Sequence, residues 1–563
     1  MKKYILSAIT MALALTSCNN YLDVDNKSNV SDQQYFSTKS GFQNLLNNAY
    51  ESLHDIYASS SYEAYFQAGT DLYADGRSQN EVGLHRYETL SPENSTMKSL
   101  YQNCYKGIRT ASAVVNYAEI ANVDAATKNS AVAQARVLAA NYYYILVNTF
   151  GGVPLMKEYV QNAEIGYPKS SAQEVYEYII SELETVIGSN ALQATTATKG
   201  GGEISQETAK AILAKTYLAA AWDLNNSGYF AKAAQYADEV IANRGLTTSF
   251  ADLWDGNGTN DDNAEFIWDL EYDLASANNT VKGGHRWANM YCNHFGGQED
   301  HAKSTHSSYI ISLHGLQYFE RGDVRYDVTF MKELPDITAK SSYSYWDYYV
   351  NGHTFVGTPM AYYYPAWYET DADIQAWRDI DPNNRMNVKI IPQSDNTIEP
   401  TDNGKAINYE TLVNNYTLAC SPVKKFDDGK NAKYDDNTTY RDIHIITLPE
   451  MYLVAAEAYL KAGNNGNALA RLNTVRSRAK VSVATSIDID AILKERACEL
   501  FGQGSRWIDL RRTQKLIEYN DLYNPQIRGQ AAQSIGQKLL RPIPQGAIDA
   551  NESLSSADQN PGY

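Results

Sequence analysis

The chain has 563 residues, a hydrophobic fraction of 44% and a formal net charge of -18 at pH 7. This length allows several compact units, or one long repeat array with an insertion, and the apolar fraction supplies a large core. The acidic balance argues against nucleic acid as a partner, because phosphate binding needs a basic surface. It also disfavours polyanions, so a neutral ligand is the better expectation.

The N-terminus carries the pattern of a secretory signal. Lys2 and Lys3 precede an apolar run over 4–15 that is too short to span a membrane as a helix, and small residues follow. The sequence "LTSC" at 15–18 resembles a bacterial lipobox, in which the signal is removed before the cysteine and the cysteine is acylated. We therefore predict a signal peptide over 1–17 and lipidation of Cys18; the alternative is an ordinary signal peptide with a chance cysteine.

Helical periodicity organises most of the next 230 residues and the C-terminus. Apolar residues at intervals of three and four, as at Val175, Ile179, Leu183 and Val186, indicate one buried face per helix. Further helices are predicted over 97–120, 132–150, 172–187 and 489–501. The sequence "FGGVP" ends the second of these, because Gly151 and Gly152 allow the chain to leave the helix and Pro154 cannot continue it.

Two segments are typical of tetratricopeptide helix pairs. In "VAAEAYLKAGNNGNALARLNTVRSR", Ala456 and Ala468 let two antiparallel helices approach, Tyr459 and Leu472 fill the space between them, and Gly463 permits the turn. A degenerate second pair runs from "AKAILAKTYLAAAW" to "GYFAKAAQYADEVIANRG". The fold class predicted is all-α, with a tetratricopeptide-like scaffold of about four helix pairs.

An irregular segment over 250–441 interrupts the array. It is rich in Gly, Asn, Asp and aromatic residues, including "HRWANMYCNHFGG", "SSYSYWDYYVNGHTF" and "MAYYYPAWYETDADIQAWRD". Long irregular segments on a rigid scaffold are usually functional, and the aromatic content is the reverse of a disorder signature. The chain therefore divides into the signal 1–17, an N-terminal helical region 18–249, the insertion 250–441 and a C-terminal region 442–563.

Composition and motifs give little support to a metal site or an enzyme. Cys104, Cys292, Cys420 and Cys498 are far apart and form no C-x-x-C pair, so isolated buried thiols are expected. Five of the nine histidines lie between His285 and His314, but without the helical spacing of a metal site. A pair of glycosidase carboxylates stays possible among 66 acidic residues, although nothing singles one out. We expect no cofactor, no metal and no catalysis.

The landmarks of the chain, in this order, resemble the SusD/RagB family of surface lipoproteins from Bacteroidetes. The resemblance rests on Cys18 and on these segments: "YYYILVNTFGGVPL", "AKAILAKTYL", "LPEMYLVAAEAYLKAG", "LNTVRSRA", "ILKERACELFGQGSRWIDLRR", "RPIPQGAI" and "NPGY". One departure is Gln503, where the family more often has Glu. The resemblance implies a non-catalytic binding surface on the insertion, docking over a SusC-like TonB-dependent outer-membrane transporter, and an outer-membrane, lipid-anchored location facing the cell exterior.

A glycan site needs flat aromatic platforms for the apolar faces of sugar rings, with polar side chains at the rim. The excess of 44 Tyr and 8 Trp over 13 Phe fits surfaces that are partly wet and partly stacked. Our candidate platforms in the insertion are Trp287, Tyr291, Tyr345, Trp346, Tyr363 and Trp367. From the polar segment over 70–87, which contributes to the ligand face in the family, we add Tyr73, Arg77, Asn80 and Tyr87.

The function expected from the sequence is capture of oligosaccharides and their delivery to the transporter. Two alternatives stay open. One is capture of a peptide or another nutrient by the same architecture, and the other is a tetratricopeptide adaptor that binds protein on its helical faces. The charged residues near the C-terminus, Arg496, Glu499, Arg506, Asp509 and Arg511, are expected to tie structural elements together.

Overall fold

The computed structural model describes residues 31–75, 82–160, 165–195, 202–242, 244–272, 284–291, 309–336, 348–349, 352–391, 393, 422–429 and 438–563. Among these residues the long helices lie in the N-terminal half and near the C-terminus, while the segment between them contains short helices and strands.

The elements before the insertion are α1 (Asp32–Phe36), α2 (Lys39–Tyr57), α3 (Tyr62–Phe66), β1 (Tyr73–Asp75), α4 (Val82–Arg86), α5 (Ser95–Tyr117), α6 (Ala125–Phe150), α7 (Ala172–Ser189), α8 (Gln206–Asp223) and α9 (Ser227–Ile241). Those in the insertion are α10 (Phe250–Leu253), β2 (Phe266–Leu270), α11 (Trp287–Met290), β3 (Tyr309–Ile311), α12 (Leu313–Gln317), α13 (Val324–Thr329), β4 (Glu333–Pro335), β5 (Met360–Tyr363), α14 (Asp371–Ile380), α15 (Pro382–Arg385) and β6 (Lys389–Ile390). The C-terminal elements are β7 (Ile443–Thr447), α16 (Leu448–Lys461), α17 (Asn465–Arg478), α18 (Ile489–Glu499), α19 (Arg506–Arg512), α20 (Leu516–Tyr523), α21 (Ala531–Ile535), α22 (Gln545–Asp549) and a 3-10 turn (Ser556–Asp558).

The long helices pack in series, which confirms the all-α, tetratricopeptide-like scaffold. Helix α2 packs on α5, α5 on α6, and each of α6, α7 and α8 on the helix that follows it. Helix α9 then packs on α16, so the array continues across the insertion into the C-terminal helices α16, α17 and α18. The helices predicted over 97–120, 132–150, 172–187 and 489–501 are all present, with ends that differ by a few residues.

Local sequence explains where these helices begin and end. Ser171 caps α7 and forms a reciprocal capping box with Glu174, which satisfies two main-chain donors at the helix start. Helix α6 ends at Phe150 because Gly151 adopts a φ of +74°, which favours glycine. In the C-terminal pair, Gly463 adopts a φ of +80° between α16 and α17, and the side chains of Ala456 and Ala468 are buried, as predicted.

Three small sheets tie the insertion to the scaffold and organise it internally. Strands β1 and β3 pair antiparallel, as do β2 and β7, so both ladders join an insertion strand to a strand outside the insertion. Within the insertion, β4 pairs antiparallel with β5, and β5 pairs parallel with β6. The limits of the insertion at 250 and 441 stay a prediction from sequence.

Buried ion pairs join distant parts of the chain, which confirms the structural role predicted for the C-terminal charges. Arg496 contacts Asp509 at 2.8 Å between Nε and Oδ2, within the C-terminal region. Arg506 contacts Asp71 at 2.6 Å, and Arg511 contacts Asp223 at 2.9 Å. The last two pairs fasten α19 to segments more than 280 residues away in sequence.

Two of the predicted buried thiols lie among the described residues. Cys104 and Cys498 are free and buried, whereas Cys292 and Cys420 lie outside the described residues. Burial in an apolar environment raises the pKa of both described thiols. We found no helix in the described part of the chain that is long and apolar enough to cross a membrane.

Candidate functional site

A pocket of about 590 Å³ opens beside the three-stranded sheet of the insertion. Its lining comes from α13, β4 and the residues between them, from Tyr349 and residues 353–356, from β5, from helices α14 and α15, and from Lys424. Register places Glu333 of β4 opposite Tyr363 of β5, and Tyr363 beside Ile390 of β6. Thus residues far apart in sequence face one cavity, and its size lies in the range of small-molecule sites.

Aromatic rings form the apolar wall of this pocket. The ring of Tyr363 stacks on the indole of Trp377, with centroids 4.1 Å apart and planes inclined by 14°. The half-buried Phe355 stacks on Tyr348, with centroids 5.2 Å apart, and meets the edge of Tyr349. A reciprocal capping box between Thr370 and Asp373 starts α14 and so fixes the helix that carries Trp377. The wall therefore consists of aromatic rings that pack against one another.

The charged groups of the pocket wall are paired with one another. Glu333 contacts Arg385 at 3.1 Å and accepts a hydrogen bond from the indole nitrogen of Trp377 at 2.5 Å. Lys332, which lines the pocket, contacts Glu369 at 2.5 Å, and Glu369 itself lies outside the lining. The guanidinium of Arg385 lies 4.8 Å from the centroid of the Trp377 ring, a cation–π contact. Such a wall offers oriented donors and acceptors without a strong excess of one charge.

The hydroxyl of Tyr363 is fixed as a hydrogen-bond donor. It donates to Glu369 Oε2 at 3.1 Å. Burial, and then the neighbouring Glu369 carboxylate, raise the pKa of Tyr363. The phenol therefore stays protonated at neutral pH, and its orientation is set by the carboxylate that also holds Lys332.

Trp367 presents an exposed indole on the connection between β5 and α14. The residue is 36% exposed, and its Nε1 donates to the carbonyl oxygen of Phe319 at 2.8 Å. Its ring meets that of Tyr368 edge-on at 5.7 Å, and Arg321 lies over the Tyr368 ring at 5.1 Å. Trp367 thus has two properties of a stacking platform, an accessible ring and a hydrogen bond that holds it.

Four of the predicted ligand-contact residues lie in the core instead. Tyr73 and Tyr87 are fully buried, and Trp287 and Tyr291 nearly so. In each case a polar atom of the ring is used internally. The Tyr87 hydroxyl donates to Gly69 O at 2.7 Å, Trp287 Nε1 donates to Tyr57 O at 3.1 Å, and the Tyr291 hydroxyl donates to Gly502 O at 3.1 Å. The Tyr73 hydroxyl accepts a hydrogen bond from Gly502 N at 3.0 Å. These rings have no face open to a ligand in this structure, so we assign them a packing role.

The remaining predicted residues, Cys18, Arg77, Asn80, Tyr345 and Trp346, lie outside the described residues. Of the ten predicted ligand-contact residues, the structure therefore brings one, Tyr363, to the pocket and leaves another, Trp367, on the surface nearby in sequence.

Several pocket residues were not predicted from sequence, among them Tyr349, Phe355, Trp377, Lys332, Glu333 and Arg385. Trp377 carried a detectable signal, because it lies on the apolar side of a short amphipathic segment that begins with a helix-capping threonine. The others did not, since their proximity depends on sheet register and on contacts between separate segments.

Comparison with known proteins gives the chain a family. Residues 219–563 match the model of the SusD family, and residues 20–218 match a model described as starch-binding associating with outer membrane. A SusD-like protein of Bacteroides ovatus is 23% identical over 581 residues, which cover 95% of this chain and 87% of the relative.

Solved structures share the fold. Surface glycan-binding protein A from Bacteroides uniformis superposes with a TM-score of 0.66 at 22% identity, covering 92% of this chain and 99% of that chain. Surface glycan-binding protein A from Bacteroides thetaiotaomicron, in complex with laminarihexaose, superposes with a TM-score of 0.64 at 19% identity, covering 93% of this chain and 99% of that chain. Since the first family model alone matches more than half of the sequence, the chain belongs to the SusD family.

Proposed function

We propose that this protein is a cell-surface lipoprotein that binds neutral oligosaccharides and passes them, uncleaved, to a SusC-like TonB-dependent transporter in the outer membrane. The observation that carries the proposal is the pocket beside the β4–β5–β6 sheet, which combines an aromatic wall with internally paired charges. Structural relatives support the same ligand class, because they include surface glycan-binding proteins, one of them in complex with laminarihexaose.

The pocket chemistry favours a polyhydroxylated, uncharged ligand. Sugar hydroxyls need donors and acceptors that are already oriented, because leaving a buried polar group without a partner costs free energy. The Glu333–Arg385 and Lys332–Glu369 pairs supply both kinds of group in fixed positions. The exposed apolar side chains of Val356 and Ile380 at the rim suit the CH faces of sugar rings.

The same geometry argues for binding without cleavage. A glycosidase needs two carboxyl groups free to act on the scissile bond, one of them as an acid. Glu333 is held by Arg385 and by the Trp377 indole, so its carboxyl group already has two partners in the pocket wall. Asp327, the second acidic residue of the lining, lies 4.0 Å from Lys332. Each of these two carboxyl groups therefore already faces a cationic side chain.

Attachment to the membrane is proposed to occur through acylated Cys18. The described helices include none that could span a membrane, and several acyl chains would hold a folded domain at the outer membrane persistently. Incorporation of labelled palmitate into the wild-type chain, and its loss in Cys18→Ala, tests this part of the proposal. Co-purification of a TonB-dependent transporter with the full-length chain tests the partner.

The ligand class is tested by isothermal titration of the purified protein against neutral oligosaccharides, with laminarihexaose included, and against peptides of similar length. We expect binding of at least one oligosaccharide and none of the peptides. Peptide binding without oligosaccharide binding would establish the alternative of peptide capture. Release of shorter products from a labelled oligosaccharide would contradict the non-catalytic assignment.

Trp367→Ala and Phe355→Ala are expected to weaken oligosaccharide binding about tenfold each, which corresponds to about 1.4 kcal/mol. The physical reason is the loss of an accessible ring face at two points of the proposed surface. Tyr35→Ala is the matched control. Tyr35 is an aromatic residue on α1, near the N-terminal end of the described chain, and it is 40% exposed, compared with 36% for Trp367. Equal losses in all three variants would remove the support for this surface.

A further inference from the structure

Segment 422–429 connects the pocket to the core. Its residues 422–424 run beside α13, where Met331 N donates to Pro422 O and Lys424 N donates to Thr329 O, both at 2.8 Å. Lys424 lines the pocket, with its ammonium group 4.9 Å from the centroid of the Tyr349 ring. The next residue, Lys425, points the other way and is fully buried.

The ammonium group of Lys425 has a complete set of partners. It donates to Gln503 Oε1 at 2.9 Å, to Phe501 O at 3.0 Å and to Glu499 O at 3.3 Å. These three oxygens belong to the last residue of α18 and to the turn that follows it. On the other side, the nitrogen lies 4.4 Å from the centroid of the Trp254 ring, within cation–π range.

We propose that Lys425 is a positioning residue of the pocket: its ammonium group clamps segment 422–429 to the turn at 499–503 and thereby holds Lys424 in the pocket wall. The role of this clamp in ligand capture rests on the proposed function. The clamp itself can be measured in the protein without ligand. The clamp needs the positive charge, because a neutral amine has only two protons for three acceptors and loses the attraction of the ring.

The protonation of Lys425 is poised near neutral pH. Burial lowers its pKa to about 7; Glu499 opposes this shift, and Arg478 and Arg325 add to it. Other titratable and charged groups around the site are Asp427 and Asp428 on its own segment, Glu495 on α18, and Arg441 and His444 beyond Trp254. We therefore expect the clamp to loosen as the pH rises through about 7.

Gln503 offers a way to move this transition. Its Nε2 has no hydrogen-bond partner among the residues described, while its Oε1 faces the ammonium group. Gln503→Glu replaces that unpaired donor by a carboxylate oxygen next to Lys425, which raises the pKa of the lysine. The variant is expected to keep the clamp closed at higher pH.

The test is amide hydrogen exchange of the full protein without ligand, corrected for intrinsic rates, at pH 6 and pH 8.5. The reporters are the amides of Met331 and Lys424. In the wild type we expect their protection to fall about tenfold between the two values. In Lys425→Met the protection of these amides should be low at both pH values, and in Gln503→Glu it should be high at both pH values. Lys461→Met is the control, because Lys461 also lies over a tryptophan ring, Trp222 at 4.2 Å, but is exposed to solvent.

Equal protection of both amides in the wild type and in Lys425→Met would overturn the clamp, and so would a pH dependence that Gln503→Glu leaves in place. Titration with the most tightly bound oligosaccharide of the panel tests whether the clamp affects the pocket. The affinity for this oligosaccharide should fall with rising pH in parallel with the protection of the two amides. If no oligosaccharide binds, the proposed function fails while the exchange data still decide the clamp. If one binds with an affinity that does not follow the profile, the positioning role is refuted.

Discussion

The attachment of the insertion to the scaffold depends on a buried arginine, and its removal gives a sharp prediction. Arg325 on α13 is 1% exposed. Its Nε and Nη2 contact Asp323 at 2.9 and 2.8 Å, and its Nη1 contacts Glu495 at 2.7 Å and Glu499 at 3.1 Å on α18. Arg325→Met keeps an unbranched apolar stem but removes the cation that two regions of the chain share.

The loss of stability expected for Arg325→Met depends on which of the three carboxylates keep another cationic partner. Glu495 still contacts Arg476 at 3.0 Å, and Glu499 keeps its contact with Arg478. Asp323, nearly inaccessible, loses the cation that contacts both its oxygens and keeps only the hydrogen bond that its Oδ1 accepts from the main-chain nitrogen of residue 325. Breaking a buried pair in this way costs about 3–5 kcal/mol, because a charge is left uncompensated in the interior. We therefore expect Arg325→Met to lower the free energy of unfolding by about that amount.

Arg321→Met is the matched control, four positions earlier in the same segment. Arg321 contacts Asp373 at 3.0 Å, but the two side chains are 55% and 35% exposed, so the loss of this contact should leave the free energy of unfolding nearly unchanged. Urea denaturation, followed by circular dichroism, compares both variants with the wild type. A difference between the two variants of less than about 1 kcal/mol would refute the reasoning that burial decides the cost.

Two further predictions concern the N-terminal helices. Gly107→Ala should destabilise the protein by about 1–3 kcal/mol in thermal or urea unfolding, because the added Cβ would lie 2.3 Å from the Tyr142 ring. Gly188→Ala is the control and should be neutral or stabilising, because nothing lies within 4 Å of its added Cβ. A larger loss of stability in Gly188→Ala than in Gly107→Ala would contradict the α5–α6 contact. Burial raises the pKa of Glu63 from 4.5 to about 8, so the stability that its protonated carboxyl provides is complete below about pH 4.5 and is lost as the pH rises towards 8. Glu63→Gln should therefore gain stability relative to the wild type between pH 5 and pH 8.5; a constant difference in the urea midpoint would disprove this linkage.

The scaffold could be predicted from sequence because its signals are local. The period of α7, the capping threonine and serine residues, and Gly463 between α16 and α17 each act within a few residues. The register of β4 with β5 and the packing of α14 on that sheet are not local, so the pocket could not be assembled from sequence. Lys424 illustrates why the pocket could not be predicted. We attribute its place in the pocket wall to the next residue, Lys425, which contacts residues 74 to 78 positions away in sequence.

The aromatic composition had a second explanation that only the structure could reveal. Tyrosine exceeds phenylalanine, 44 to 13, and the sequence suggested wet stacking surfaces. Many of these tyrosines instead donate a hydrogen bond from the core to a main-chain carbonyl of a remote segment. Examples are the bonds from Tyr62 to Gly504, Tyr105 to Pro154, Tyr142 to Ala49, Tyr291 to Gly502 and Tyr452 to Arg244.

A helical array interrupted by long irregular connections has many main-chain carbonyls that no helix or sheet satisfies. Each buried carbonyl needs a partner, and a tyrosine supplies one while its ring still fills core volume. Phenylalanine would provide the volume and leave the oxygen unpaired. The tyrosine excess therefore fits the construction of this interior, and it carries no weight as a sign of glycan binding. That proposal depends on the exposed ring of Trp367 and on the paired charges around Tyr363, both of which the binding variants address directly.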